Sequence, residues 1–286
     1  MATTNKEIEA FMKGIEEVGE TDEKLTGVIY GQNGTGKTRT SATAPGTILL
    51  DINEEGTASI RGTGAKRRRI NTWKDLETAY WFLKSINKKL KTPYETVVLD
   101  TVTQMEQLAL RYVMNKEAEE FGMDVDTKAD IKLPYRNDYG NAASLMKAWI
   151  PRFRDLKNDG LNVIFNVQEK RGNSEEMDED VHEVFPAMMP STKNILCGAV
   201  DFIGHTEIKE VTKTVGDEVK TVPVFVLRVG PSSKYLTKFR VPIGCSLPQF
   251  LVNPNFDEIK QLTEGTHKTQ VKKPKKTKKT KTEEED

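Results

Sequence analysis

The chain has 286 residues, 36% hydrophobic and 30% charged, with 43 Lys plus Arg against 43 Asp plus Glu. That composition supports a core that folds without disulfides or a structural metal, and it excludes disorder throughout. No apolar run approaches the roughly 18 residues of a membrane span, and no apolar stretch follows Lys6 as a leader would require. Cys197 and Cys245 form no CxxC pair, so neither a disulfide framework nor a zinc ribbon has its ligands. These features predict a cytoplasmic protein with no membrane partner.

The zero net charge hides an asymmetry. The end of the chain holds Lys268, Lys272, Lys273, Lys275, Lys276, Lys278, Lys279 and Lys281 beside Glu283, Glu284, Glu285 and Asp286, which leaves −4 on the remainder. An acidic core does not attract polyanions by bulk charge, so contact with nucleic acid needs local patches or the tail.

In chain order, Thr4 and Glu7 make a capping-box pattern, followed by Ile8, Phe11, Met12 and Ile15 at helical spacing, and residues 1–23 read as an N-terminal helix ending near Gly19. Residues 25–30 read as a buried strand feeding a glycine-rich turn, 37–43 as a short helix, and 47–51 as the next strand. Lys66, Arg67, Arg68 and Arg69 run into Ile70 and Trp73, which suits either a charge-protected edge strand or a phosphate contact. Leu76, Tyr80 and Leu83 mark a helical face over 74–90, and residues 96–100 return to strand. Helices over 103–119 and 139–156 and a strand over 162–167 continue the alternation.

After Gln168 an acidic stretch leads to Pro186 and Pro190. Strands follow near 200–211, 222–229 and 235–241, with Gly216 and Asp217 placed for a hairpin turn. The fold class is α/β, with a mainly parallel sheet and antiparallel C-terminal strands, over residues 24–262. Residues 263–286 lack apolar periodicity and read as a disordered tail that holds DNA weakly, binds a partner or keeps the protein soluble.

Gly31-Gln32-Asn33-Gly34-Thr35-Gly36-Lys37-Thr38 fits the GxxxxGK[ST] pattern without deviation, between a strand and a helix. In such a loop the backbone amides of Gly31, Gln32, Asn33, Gly34, Thr35 and Gly36 cradle phosphates. Lys37 charges the β and γ positions, and Thr38 supplies an oxygen to Mg²⁺. A second Mg²⁺ oxygen belongs at the end of another buried strand, where Asp100 stands. Thr101 follows it, so the glutamate that polarises the attacking water in many ATPases of the AAA type is absent at that position.

The base must come from elsewhere. The strand over 47–51 runs into Asn53-Glu54-Glu55-Gly56, where RecA-like ATPases carry theirs, with Glu54 the first choice and Glu55 the alternative. Gln168, ending a later strand, is placed to sense the γ-phosphate. No [NT]KxD guanine motif follows at a useful place, which favours ATP over GTP. His182, His205 and His267 show no metal spacing, and Trp73, Trp81 and Trp149 sit in patterns that favour core packing.

GQNGTGKT, ILLDINEEG, TVVLDTVTQ and NDYGNAASLMKAWIPRFRDL leading into NVIFNVQE resemble, in order and spacing, the phage RecA-like ATPases classed as single-strand annealing proteins. The resemblance spans about residues 24–262 and implies a RecA-like core, ATP hydrolysis and single-stranded DNA binding in recombination or replication. It also implies cooperation with a single-strand binding protein. Lys238-Phe239-Arg240 is similar to an element that reaches a neighbour's nucleotide, which implies that Lys238 and Arg240 act in trans within a ring or filament of identical subunits. Two solvated charges on a strand are the alternative. Rival functions are a helicase loader, a small-molecule kinase, for which no lid is evident, and a nucleotide-gated adaptor.

Overall fold

Strands that are apolar along their length need cover on both faces. In the computed structural model, which describes residues 4–15, 24–52, 56–89, 94–120, 136–172, 182–215 and 218–267, several strands have that character. β1 (Thr26–Gly31), β2 (Thr47–Ile52) and β4 (Thr96–Asp100) are buried throughout, and β5 (Asn162–Arg171) is buried over its first six residues. Their side chains alternate between two cores with the period of a pleated strand. Val28, Tyr30, Leu50, Leu99 and Phe165 face one core, while Ile29, Leu49, Val98 and Ile164 face the other.

The first core is closed by α3 (Trp73–Lys89), α4 (Val102–Glu120), α5 (Arg136–Arg154) and α6 (Pro190–Ala199), through residues such as Leu76, Met105, Ile150 and Leu196. Trp73, Tyr80, Trp149 and Phe153 meet edge to face or tilted within it. Trp81 departs from the core expectation, because it lies on the outer face of α3 and is exposed. The second core is closed by Ala42 and Ala44, just after α2 (Lys37–Ser41), and by Phe256, Ile259 and Leu262 of α7 (Phe256–Thr263). The result is an α/β/α sandwich, as the alternation predicts.

Among the described residues the sheet has ten strands, with a main path β10-β8-β7-β1-β5-β4-β2-β3. This path includes β3 (Lys66–Ile70), β7 (Phe202–Val215), β8 (Glu218–Arg228) and β10 (Phe250–Val252). β6 (Val184–Pro186) pairs with β5, and β9 (Lys238–Phe239) pairs with β7. β7 first runs parallel to β1 and then forms a long antiparallel pair with β8 in which Val215 stands opposite Glu218; Gly216 and Asp217, expected to make the turn, lie outside the described residues. β3 is the edge strand: Lys66, Arg67, Arg68 and Arg69 are exposed and Ile70 is buried. The strand expected over 235–241 shrinks to two residues, because β8 occupies the same edge of β7 from His205 onward.

Thr4 and Glu7 do form the expected capping box, and α1 (Asn5–Lys13) follows and is capped by Gly14. Ile8, Phe11, Met12 and Ile15 are exposed. Residues 16–23 and the tail over 268–286 lie outside the described residues. Among the described residues no helix is long and apolar enough to cross a membrane.

Candidate functional site

Glycine is required where β1 turns into the loop before α2. A Cβ at Gly31 would stand 2.3 Å from the Thr206 hydroxyl, and Gly34 and Gly36 take φ of +80° and +96°, which side chains disfavour. Gly31 lies between two neighbours in register, Gln168 on β5 and Thr206 on β7. The Thr35 and Thr206 hydroxyls are 2.7 Å apart, which ties the loop to β7. Ser41 and Asn166 hydrogen-bond side chain to side chain at 2.9 Å, which ties α2 to β5.

Within this frame the Lys37 ammonium donates to the carbonyls of Gly31, at 3.0 Å, and Gln32, at 2.9 Å. The Thr38 hydroxyl donates to Asp100 Oδ2 at 2.6 Å. Asp51 is the register partner of Asp100 on the adjacent strand, so two buried carboxylates end neighbouring strands. Arg67 Nε meets Asp51 at 3.1 Å, which balances one of the two negative charges. The loop, the hydroxyl and the second carboxylate thus converge on one end of the sheet.

A family model described as an AAA domain matches residues 23–241. The chain belongs to this AAA domain family. No curated protein matches it.

Membership supports an ATPase with a P-loop, and the donor set fits the group such an enzyme uses. A hydroxyl and a carboxylate are the hard oxygen ligands that Mg²⁺ takes alongside phosphate oxygens. Thr38 and Asp100, already in contact, are the residues that would hold it, and the ion would neutralise charge between the β and γ phosphates. Lys37, resting on its own loop's carbonyls, is placed to exchange them for phosphate oxygens.

In this AAA-domain chain the backbone of Gln168 is held on both sides. Its N–H donates to the Thr103 hydroxyl at 3.1 Å, and its carbonyl accepts from Ala187 N at 2.7 Å. These bonds tie Gln168 to the start of α4 and to the segment after β6. Glu54 and Glu55 lie outside the described residues. Lys238 and Arg240 are not brought to the loop. They sit where β9 meets the start of β7, the opposite end of the sheet from Gly31. There the Lys238 ammonium donates to the carbonyls of Cys197 and Gly198, and Arg240 Nη1 meets Asp201 Oδ1 at 2.9 Å.

Sequence reasoning missed a buried pair beside the loop. His205 Nε2 lies 2.8 Å from Glu169 Oε2, the imidazole packs between the rings of Tyr30 and Tyr235, and Gln32 also hydrogen-bonds Glu169. Burial alone pushes the Glu169 carboxyl up, but hydrogen bonds from His205, Gln32 and Arg171 outweigh it and hold the group below its ordinary range. Burial pushes His205 down despite its carboxylate neighbour, so the ring is neutral and donates through Nε2. Gln32, Asn33, Gln168, Glu169 and Arg171 line a cavity of about 300 Å³ at this end of the loop. Thr206 was also missed. Nothing local marks these residues, since β7 meets β1 across more than 170 positions.

Proposed function

We propose that the protein is a RecA-like ATPase that hydrolyses ATP while bound to single-stranded DNA, in phage recombination or replication. The observation that carries the ATPase reading is the contact between Thr38 and Asp100 at 2.6 Å, with Lys37 held at the same turn. Lys37 binds the β and γ phosphates, Thr38 and Asp100 hold Mg²⁺, and Gln168 stands at the γ end. Glu54, or else Glu55, takes the proton of the attacking water.

Support for the DNA reading comes from the motif resemblance and from the sheet edge. Lys66, Arg67 and Arg68 line a cavity of about 350 Å³ together with Phe82 and Tyr94, and positive charge beside aromatic rings is the chemistry that single strands seek. Subunits assemble in a ring or filament, and Lys238 and Arg240, far from their own loop, act at a neighbour's nucleotide. A single-strand binding protein delivers the DNA. A second reading, a helicase loader, draws on the exposed apolar face of α1, which suits a protein partner.

The test is ATP hydrolysis by the full chain with and without single-stranded DNA at low salt, with Lys37→Ala as control. Strong stimulation by DNA that Lys37→Ala abolishes is the expected result. Undiminished turnover in Lys37→Ala overturns the site. Intact hydrolysis without stimulation overturns the DNA reading in favour of a loader activated by a protein.

A further inference from the structure

The P-loop lysine marks the β and γ end of a bound nucleotide, so the sugar and base must leave from the other end of the cradle, along the start of α2. A cavity of about 570 Å³ is lined both by Lys37 and Thr38 of the phosphate end and by Gly36, Arg39, Ser59 and Phe225. Its chemistry differs from the polar cavity beside Gln168. Phe225 reaches it from β8, two strands away from β1, and its ring is only partly buried. The ring closes on the loop backbone: a Cβ at Gly36 would stand 3.0 Å from Phe225 Cδ1. Over the same ring lies the Arg39 guanidinium, 5.0 Å from the centroid.

A flat cation on an aromatic face occupies the place that a stacked ring would take. From this geometry we infer that Phe225 is the platform for the nucleobase. The base replaces the Arg39 guanidinium on the ring, and Arg39 closes over the base's outer face. A platform of this kind reads the area of a π-system and not its hydrogen-bonding edge, so it favours purines over pyrimidines and does not itself separate adenine from guanine. The inference rests on the nucleotide site proposed above and names the ligand class which that site selects.

The test measures the affinity of the full chain for ATP, CTP and inorganic tripolyphosphate, each with Mg²⁺, in the wild type, Phe225→Leu, Phe225→Trp and Lys37→Ala. Leu keeps apolar volume without a ring, so the fold is retained. Stacking of a base on an aromatic side chain is worth about 5- to 150-fold in affinity. Phe225→Leu is expected to lose ATP affinity by such a factor, to leave tripolyphosphate within about twofold, and to narrow the preference for ATP over CTP. Phe225→Trp restores ATP binding. Equal ATP affinity in Phe225→Leu and wild type overturns the platform, as does an equal loss for ATP and tripolyphosphate. Wild type that binds neither ligand, or Lys37→Ala that binds both undiminished, instead overturns the phosphate loop and the platform with it.

Discussion

Lys238 has two competing explanations, and one substitution separates them. α6 begins with Pro190, and at that end the Glu106 carboxylate accepts from Met189 N and from the Thr192 hydroxyl. At the other end the Lys238 ammonium donates to the carbonyls of Cys197 and Gly198, both at 3.0 Å, within the last turn of the helix. These are carbonyls that no further turn can satisfy. A cation there gains from the helix dipole by about 0.3–1 kcal/mol. Charged hydrogen bonds add to that, discounted because the side chain is only partly buried, for a total of about 1–2 kcal/mol. Burial, and then Arg240, holds the Lys238 ammonium below its ordinary range, which shows that the position has a desolvation cost as well. Lys238→Met keeps the stem and removes the charge, so it should lower the melting temperature by roughly 2–8 °C, and Lys238→Arg should recover most of it. Thermal unfolding followed by circular dichroism measures this, alongside DNA-stimulated ATPase per folded protein. An unchanged melting temperature refutes the helix-capping argument. An unchanged melting temperature with lost turnover would instead favour the role at a neighbour's nucleotide.

Asp100→Asn keeps the shape beside Thr38 but removes the charge that would hold Mg²⁺ in the proposed site, so turnover should fall by roughly a hundredfold or more. Nucleotide binding in a metal chelator should survive, and loss of both would point to a structural role for Asp100. Stability should also fall in acid, with a definite sign. Burial depresses His205 below the ordinary 6.5, and Arg228 pushes the same way against Glu169 and Glu207, so the unfolded chain takes up this proton first. The His205 contribution is present above about pH 6.5 and is lost as pH falls toward the folded value. Glu169, held below 4.5 by bonds that outweigh its burial, extends the loss beneath that pH. Melting temperatures between about pH 7 and 5 should decline, and His205→Gln should flatten that part of the profile. A flat profile in the wild type would contradict the assignment.

How much of this was legible depends on how local each contact is. Lys37, Thr38 and the glycines belong to one eight-residue pattern, and Asp100 is placed by a strand whose five residues are all buried. α7 went unread, although Asn255 and Glu258 form a capping box and Phe256, Ile259 and Leu262 recur at helical spacing. α6 hides behind Pro190, which reads as a breaker although proline suits a first helical turn. β3 left two readings open, because a strand of four exposed basic residues shows no alternation until Ile70. Thr206, His205 and Glu169 are beyond local reasoning, for they meet the loop only through the register of β7 and β5 on β1.

That register makes the loop more than an anion cradle. β1 lies between β5 and β7, and at the level of Gly31 these neighbours place the polar side chains of Gln168 and Thr206 on either side of the loop. On one side Gln168 stands beside Gly31, and Glu169 ties Gln32 to His205. On the other side Thr206 locks Thr35, and β7 continues into the hairpin whose second strand carries Phe225. In the proposed binding mode a purine triphosphate therefore touches three strands at once, with its base on β8, its phosphates on the β1 turn and its γ end on β5. Loss of the γ-phosphate would release the β5 contact while leaving the base on Phe225. In that mode the change is felt at Gln168, whose backbone is bonded to Thr103 and Ala187, while the platform keeps hold of the diphosphate.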